Sequence, residues 1–370
     1  MNLRTLLEGM KRVDASDLHL KVGSPPVLRI YSRLRPLDHP PITSEEMRQA
    51  LDSILPERLR RAFEEEGIAD FAHELSDAVR FRVAAYHHRG HVSISVRLID
   101  PDVPTPEELN LPETVRPLSE LTHGMMLVTG ITGSGKSTTL AALIGLINNS
   151  RREHIITIED PIEFVHKNRL SIINQMEVGL DCPSFRSAVW RILRFDPDII
   201  LVGEIRSRET IEAALQAVDT GHLFLSTLHT SGAKETIRRI LHFFDRTEEQ
   251  TILDMLAQHL RAIISQRLLP RCDKPGLIPA CEILLNIPIV SKLIREGRID
   301  DIEQVLRNRE ARMQSVDVAL ALLVREKKIA LEDAVRESSD EAGLRRMIRG
   351  DLSPGDRAGL VHGPDLPSRG

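Results

Sequence analysis

Cysteine is scarce in this sequence. Three of the 370 residues are cysteines, namely Cys182, Cys272 and Cys281. An odd and sparse set is not a disulfide framework, and it favours reduced thiols in a cytosolic protein. Cys272 and Cys281 are too widely spaced for a CxxC zinc knuckle, and the sequence has no second pair to complete a four-ligand zinc site.

Long apolar runs are also absent. No stretch of 18 apolar residues occurs in the sequence, so no transmembrane segment is predicted. The segment MNLRTLLEGMKRVDAS at the start has no uninterrupted apolar stretch that could act as a secretory signal. We therefore expect a cytoplasmic protein whose association with a membrane goes through a partner.

A basic excess is missing as well. Lys and Arg total 49 and Asp and Glu total 54, which gives a net charge of −5. This balance disfavours a dedicated nucleic-acid binder, so we expect no nucleic-acid partner. The hydrophobic content of 41% and charged content of 28% are ordinary for a globular protein with a sizeable core. The length predicts two domains, or one large domain and a small one.

The first hundred residues predict a small α+β domain. Thr43 and Glu46 form a capping-box pattern in front of a helix, and a second helix is expected between Pro56 and Gly67. Residues 79–86 and 92–98 alternate between apolar and polar side chains, which predicts two strands joined as a hairpin. Residues 101–118 contain five prolines and predict a linker.

Residues 119–350 predict an α/β domain with a largely parallel sheet. Short and nearly continuous apolar runs, separated by helical segments, are typical of strands that are buried on both faces. The runs lie at Met125–Thr129, His154–Ile158, Ile199–Val202 and Leu223–Leu228. After about residue 247 we expect mostly helix, with one apolar run at 277–285. The tail at 351–370 is rich in glycine and proline and is predicted to be disordered.

The strongest motif is GITGSGKS at residues 130–137. It matches GxxxxGK[ST], follows a predicted strand and opens a predicted helix, the context in which this pattern forms a phosphate-binding loop. Lys136 is expected to reach the β- and γ-phosphates of ATP, and Ser137 to ligate Mg²⁺. The predicted nucleotide-binding residues are Gly130, Thr132, Gly133, Ser134, Gly135, Lys136, Ser137 and Thr138.

Acidic residues follow two of the predicted strands. Glu204 ends the segment DIILVGE, where a carboxylate can lie beside the magnesium shell. Glu159, Asp160 and Glu163 follow another strand, and their mutual repulsion would be relieved by a metal or cations nearby. Glu159 joins Ser137 and Glu204 as a predicted magnesium ligand, and Glu163 is the candidate general base for the attacking water. The alternative for this acidic segment is a solvated loop.

Two histidines flank one strand, and three arginines lie on the predicted hairpin. His229 follows the strand at 223–228 and is placed to contact the γ-phosphate, whereas His222 is equally well explained as a turn or core histidine. Their separation of seven residues puts them on opposite faces, so they do not share a metal ion. Arg80, Arg82 and Arg97 either form the polar face of a half-buried sheet or act as arginine fingers on the phosphates.

Together these motifs resemble a known family. The set GITGSGKS, TIEDPIEFVH, DPDIILVGEIR and TGHLFLSTLHT resembles the secretion ATPases, and within them the type IV pilus retraction ATPases of the PilT and PilU type. The resemblance implies a RecA-like ATPase domain, a PAS-like N-terminal domain and a homo-hexamer with MgATP bound between the two domains. It further implies that the catalytic residues are Glu163, Glu204, His229, Arg82 and Arg97.

One part of the resemblance is incomplete. The retraction ATPases carry an AIRNLIRE-like segment, of which IVSKLIRE at 289–296 keeps only the second half. This favours the PilU type and makes that helix the candidate contact for an inner-membrane pilus platform protein. The alternatives are an accessory partner of a paralogous retraction ATPase, a pilus assembly or type II secretion ATPase, and a DNA-transfer ATPase. The lack of a four-cysteine zinc module counts against an assembly ATPase.

Overall fold

The computed structural model describes residues 1–13, 15–30, 33–76, 79–99, 103–308 and 310–350. The tail that we predicted to be disordered lies outside these residues. The chain divides into two compact units, of which the first contains residues 1–102 and 161–165. The second contains residues 103–160 and the chain from 166 onward.

The first unit is a single antiparallel sheet with helices, as expected for an α+β domain. Its strands are arranged in the order β3-β2-β1-β6-β5-β4. Its elements in chain order are α1 (Leu3–Arg12), β1 (Ala15–Lys21), β2 (Val27–Ile30), β3 (Arg33–Pro36), α2 (Ser44–Ile54), α3 (Glu57–Glu66), β4 (Ile68–Ser76), β5 (Val79–His88) and β6 (His91–Ile99). Apolar residues from alternate positions of β5 and β6 pack with α1 in one core, among them Phe81, Val83, Ile94 and Leu7.

Local signals in this unit have their expected effects. The Thr43 side chain and Glu46 form the predicted capping box at the start of α2. Gly67 ends α3 with a left-handed φ of 76°. The turn between β5 and β6 consists of Arg89 and Gly90, at φ values of 49° and 77°, and two consecutive positive φ values are what a tight two-residue hairpin needs.

The second unit contains a seven-stranded sheet in the order β13-β12-β7-β11-β10-β8-β9. Its strands are β7 (Gly124–Thr129), β8 (His154–Glu159), β9 (Ile172–Glu177), β10 (Ile199–Val202), β11 (Leu223–Leu228), β12 (Leu260–Pro270) and β13 (Leu277–Leu285). Its helices are α4 (Lys136–Ser150), α5 (Phe185–Ile192), α6 (Arg208–Asp219), α7 (Ala233–Leu241), α8 (Glu249–His259), α9 (Pro288–Arg295), α10 (Ile302–Arg307), α11 (Val316–Arg325), α12 (Leu331–Glu337) and α13 (Glu341–Arg349).

The sheet is parallel except for β13, and apolar side chains cover both of its faces. Met125 and Leu127 of β7 pack into one core layer, whereas Met126 and Val128 pack into the layer on the other face. This double burial explains the continuous apolar runs in the sequence. The α/β architecture that we predicted for residues 119–350 is therefore present.

The expectation of mostly helix after residue 247 is wrong for β12. Residues Leu260–Pro270 pair in parallel with β7 and antiparallel with β13. Periodicity does not distinguish a short apolar run in a strand from a buried helix segment, and α8 runs directly into this strand. The consequence is large, because β12 lies next to the strand that leads into the phosphate-binding loop.

The proline-rich segment contributes buried residues to the second unit. Residues Glu113–Glu120 form a 3-10 helix. Its Val115 and Leu118 are buried with apolar residues of α4 and β7. The described part of this segment, from residue 103, thus packs as part of a folded unit where we expected a linker, because its apolar side chains outweigh the stiffening effect of proline.

Candidate functional site

Four of the sequence motifs meet at one edge of the second sheet. The strands β7, β11, β10 and β8 are neighbours in that order and run parallel. The phosphate-binding loop, His229, Glu204 and Glu159 lie at or directly after the carboxyl ends of these strands. In open α/β sheets this edge is where ligands bind.

The phosphate-binding loop needs glycine at two positions. Gly130 has a φ of 142°, and a Cβ there would lie 2.4 Å from both the Gln266 carbonyl oxygen and Ser134 Oγ. Gly135 has a φ of 87° and precedes α4 without any side-chain cap. Because the residue before α4 provides no side-chain cap, the positive end of this helix is available to an anion.

Lys136 is buried at the centre of the loop. Its Nζ donates hydrogen bonds to the carbonyl oxygens of Gly130 and Ile131, each at 3.0 Å. The same nitrogen lies 3.5 Å from His229 Nδ1. Of the other predicted binding residues, Ser134 is buried, Thr138 is half-buried, and Thr132, Gly133 and Ser137 are exposed at the surface of the loop.

His229 and Glu204 are in direct contact. His229 Nε2 lies 3.0 Å from Glu204 Oε1, and Arg206 Nη2 lies 2.8 Å from Glu204 Oε2. A lysine ammonium donates only, so Nδ1 of His229 accepts from Lys136 and Nε2 donates to Glu204. Burial opposes ionisation of Glu204, but the hydrogen bonds from Arg206 and His229 and the charge of Arg206 outweigh it and lower the pKa of Glu204.

Glu159 is held by two donors on neighbouring residues. Thr157 Oγ1 and Gln175 Nε2 both donate to Glu159 Oε1, at 2.7 and 3.1 Å. Gly203 directly follows β10, and a Cβ on it would lie 3.5 Å from Glu159 Cα. Glu159 and Glu204 are thus at the ends of adjacent strands. Sequence reasoning did not identify Gln175 or Arg206 as partners of these carboxylates.

The second histidine has a structural role. His222 precedes β11, and its Nδ1 lies 2.9 Å from the Ala217 carbonyl oxygen and 3.0 Å from Thr220 Oγ1. These contacts hold the turn between α6 and β11. His229 lies at the opposite end of the same strand.

The predicted catalytic residues Glu163, Arg82 and Arg97 belong to the first unit. Glu163 is exposed within residues 161–165. Arg82 on β5 is directly opposite Arg97 on β6, and Arg97 Nε lies 2.8 Å from Asp17 Oδ1. Asp17 in turn is opposite Arg29 on β2. We call the four residues Arg82, Arg97, Asp17 and Arg29 the arginine row.

Arg80 differs from its two neighbours in the prediction. Its Nη1 lies 3.1 Å from Glu74 Oε1, and only 11% of its side chain is exposed. The position of Arg80 is therefore explained by the first interpretation, in which it belongs to the polar face of a half-buried sheet. Arg82 is exposed, and the like charge of Arg97 directly across the strands is unfavourable unless an anion compensates it.

The residues fit a magnesium nucleotide. The buried Ser134 Oγ has no hydrogen-bond partner within the described part of the chain, and the loop provides uncapped N–H groups and a lysine. No group of three or more His, Cys, Asp and Glu side chains is placed to hold a metal in the residues described. Magnesium bound through phosphates needs only one or two carboxylates from the protein, and Glu159 and Glu204 would provide them beside the hydroxyl of Ser137.

Fold and site together define a P-loop nucleotide-binding protein with a RecA-like core and a smaller N-terminal domain. Residues 69–348 match the family described as Type II/IV secretion system protein, and the chain belongs to that family.

Similar proteins cover almost the whole chain. It is 39% identical to the type IV pilus ATPase PilU of Pseudomonas aeruginosa, over 94% of this chain and 92% of that one. It is also 39% identical to the retraction ATPase PilT of the same organism, over 90% of this chain and 97% of that one. A crystal structure of the pilus retraction motor PilT with bound ADP has a TM-score of 0.88 and 39% identity, and covers 94% of this chain and 99% of the other.

These comparisons confirm the resemblance and the fold class that we predicted. They do not separate the two types of retraction ATPase, since both relatives are equally identical to this chain. Among the described residues, no helix is long and apolar enough to span a bilayer.

Proposed function

We propose that this protein is an ATP-hydrolysing motor that powers retraction of a type IV pilus. The observation that supports this most strongly is the linked set Lys136, His229, Glu204 and Arg206 at the mouth of the phosphate-binding loop. The relatives named as pilus retraction ATPases supply the biological process.

In this proposal each residue has a defined task. The N–H groups of the loop and Lys136 bind the phosphates, and Ser137, Glu159 and Glu204 hold the magnesium ion, which compensates negative charge on the phosphates. Glu163 orients and deprotonates the attacking water. Arg206 and His229 lower the pKa of Glu204 against the effect of burial, which favours the charged form that would bind the magnesium ion. His229 contacts both Lys136 and Glu204, so it responds to charge that binds between these two residues.

Arg82 and Arg97 supply the remaining positive charge. They are the arginines that neutralise the phosphates in the transition state. We propose a homo-hexameric ring in the cytoplasm that acts on an inner-membrane platform protein. In α9, Val290, Leu293 and Ile294 are buried, whereas Ile289 is 40% exposed. This leaves Ile289 and Lys292 for the platform contact.

The test is a deletion strain of the source organism, scored for surface pili and twitching. Excess pili with lost twitching, restored by the wild-type gene but not by Glu163→Gln, is the expected result. Cells without pili would contradict the proposal and indicate an assembly ATPase.

A second candidate is an accessory partner of another retraction ATPase. The altered first half of the segment at 289–296 favours it, because this half contains the exposed Ile289. Normal pilus numbers with weakened twitching in the deletion strain would support this role. In that case the purified chain would show full ATP turnover only in the presence of its paralogue.

A further inference from the structure

The phosphate-binding loop rests on β12. The Gln266 carbonyl oxygen lies 2.4 Å from the position of a Cβ on Gly130, and Leu268 Cδ1 lies 3.5 Å from that on Gly135. Two of the three glycines of the loop, both with positive φ, thus face the same strand. The position of the loop is therefore set by β12 as well as by β7 and α4.

Gln266 makes the polar contact between this strand and the loop. Its residue is 2% exposed, and its Nε2 donates a hydrogen bond of 3.2 Å to the Ser134 carbonyl oxygen. Its Oε1 is buried and has no hydrogen-bond partner among the residues described. Native proteins rarely leave a buried amide oxygen unsatisfied, so this atom needs an explanation.

Ser134, the loop residue that accepts this hydrogen bond, also has an unsatisfied polar atom. Ser134 Oγ is also buried without a partner in the described chain. One residue therefore offers an unused hydroxyl donor and the other an unused carbonyl acceptor, although a hydrogen bond already joins them through other atoms. A rearrangement of the loop that brings these two atoms together would let the hydroxyl of Ser134 donate to Oε1 of Gln266.

Lys136 indicates what would drive this rearrangement. Its ammonium group donates to the carbonyl oxygens of Gly130 and Ile131, so the loop is curled around its own lysine. Phosphate oxygens are stronger acceptors because they are charged. When Lys136 turns to a phosphate, these two carbonyls are released and the loop that contains Ser134 can shift.

We propose that Gln266 is a positioning residue of the phosphate-binding loop. Its Nε2 donates to the Ser134 carbonyl oxygen, and its Oε1 accepts a hydrogen bond from the Ser134 hydroxyl when the loop binds phosphate. A polar pair that costs free energy in the curled loop is satisfied in the phosphate-bound loop, which favours nucleotide binding. This inference rests on the proposed use of the loop for nucleotide.

The experiment measures the affinity of the full-length chain for a fluorescent N-methylanthraniloyl ADP with Mg²⁺. We expect Gln266→Leu, which keeps the volume but removes both polar atoms, to weaken binding about tenfold. Ser134→Ala is expected to weaken it about threefold. The double variant should bind about as weakly as Gln266→Leu alone, because both substitutions remove the same interaction.

Thermal unfolding without nucleotide separates positioning from a general structural role. Gln266→Leu removes an unsatisfied buried acceptor along with the amide, so its midpoint should be unchanged or higher. The matched control is Gln314→Leu, since Gln314 Nε2 also donates to a backbone carbonyl, that of Cys281, at 2.8 Å. This control should unfold at a lower temperature and bind nucleotide like the wild type.

The outcomes are distinct. Unchanged affinity in Gln266→Leu, or additive losses in the double variant, would overturn this inference and leave the proposed function standing. A loss of nucleotide affinity in Gln266→Leu that is accompanied by a lower unfolding midpoint would also overturn this inference. A wild-type chain that does not bind the nucleotide at all would overturn the proposed function together with the role of Gln266.

Discussion

The phosphate-binding edge of the second unit and the arginine row of the first are built in different ways. At the edge, the side chains satisfy one another, as in the contacts from the buried Lys136 to His229 and from His229 to the half-buried Glu204. In the row, Arg82 is exposed and lies opposite another arginine. The row includes one carboxylate, Asp17, for three arginines.

The difference shows which parts of the chemistry are complete within one unit. The edge has its donors, its lysine and its carboxylates in place, so its charges are balanced before any ligand arrives. In the row, by contrast, Arg82 is exposed and faces the like charge of Arg97 across the strands. We infer that the row is specialised for an external anion, and substitutions in the two regions should therefore differ in kind.

The largest effect is expected for Lys136→Ala. Losing a charged donor to the phosphates should lower nucleotide affinity about 100-fold, which corresponds to ~3 kcal/mol, and reduce ATP turnover to background. The measurements are fluorescent nucleotide titration and phosphate release. Lys274→Ala, in the turn between β12 and β13, is the control and should behave like the wild type. Normal turnover in Lys136→Ala would refute the mechanism.

Glu204→Gln should affect the rate more than the binding. The substitution removes the charge that pairs with Arg206 and His229 and weakens the hold on the magnesium ion. Turnover should fall about 10²- to 10³-fold, the usual loss when one electrostatic group of a transition state is removed. Nucleotide affinity should stay within a few-fold. Glu209→Gln, in the first turn of α6, is the control, and an equal loss in both variants would contradict the assignment of Glu204.

Much of the edge could be predicted from the sequence, because its signals are local. The pattern GITGSGKS and the apolar runs before Glu159, Glu204 and His229 place each group at a strand end without any knowledge of long-range contacts. The left-handed glycines of the loop follow from the same pattern. The structure adds that the four strand ends are adjacent.

The contact between β12 and the phosphate-binding loop could not be predicted from the sequence. Gln266 and Ser134 are separated by 132 positions in sequence, and β12 was expected to be helical. A glutamine in an apolar run has no local signal for what it contacts. The same holds for Gln175, whose contact with Glu159 depends on the pairing of β8 with β9.

Arg82→Ala should separate turnover from stability. Because Arg82 is exposed, its removal should leave the unfolding midpoint and nucleotide affinity nearly unchanged. Turnover should fall about 10³-fold or more if Arg82 acts as an arginine finger. Arg80→Ala is the matched comparison, because Arg80 is paired with Glu74 and mostly buried. Arg80→Ala should lower the unfolding midpoint and leave the turnover of the folded protein intact. If instead Arg80→Ala lowered turnover and Arg82→Ala lowered the midpoint, Arg80 would be the catalytic arginine and Arg82 the structural one.

The smallest effect is expected within the arginine row itself, for Asp17→Asn. Burial opposes ionisation of Asp17, but the hydrogen bonds from Ser16 and Arg97 and the charge of Arg97 outweigh it and lower its pKa. A carboxyl group whose pKa is lower in the folded than in the unfolded chain stabilises the fold above the unfolded pKa, and this contribution is lost as the pH falls through the folded pKa.

Urea unfolding of the two proteins at pH 7 and at lower pH measures this contribution. The free energy of unfolding of the wild type should exceed that of Asp17→Asn by about 1 kcal/mol at pH 7, because Asp17 is buried but its partner Arg97 is exposed to solvent. The difference should shrink as the pH falls from about 4, the ordinary value for an aspartate, toward lower values. A difference that is independent of pH would mean that Asp17 acts through the shape of its side chain, and that the row has no internal charge compensation.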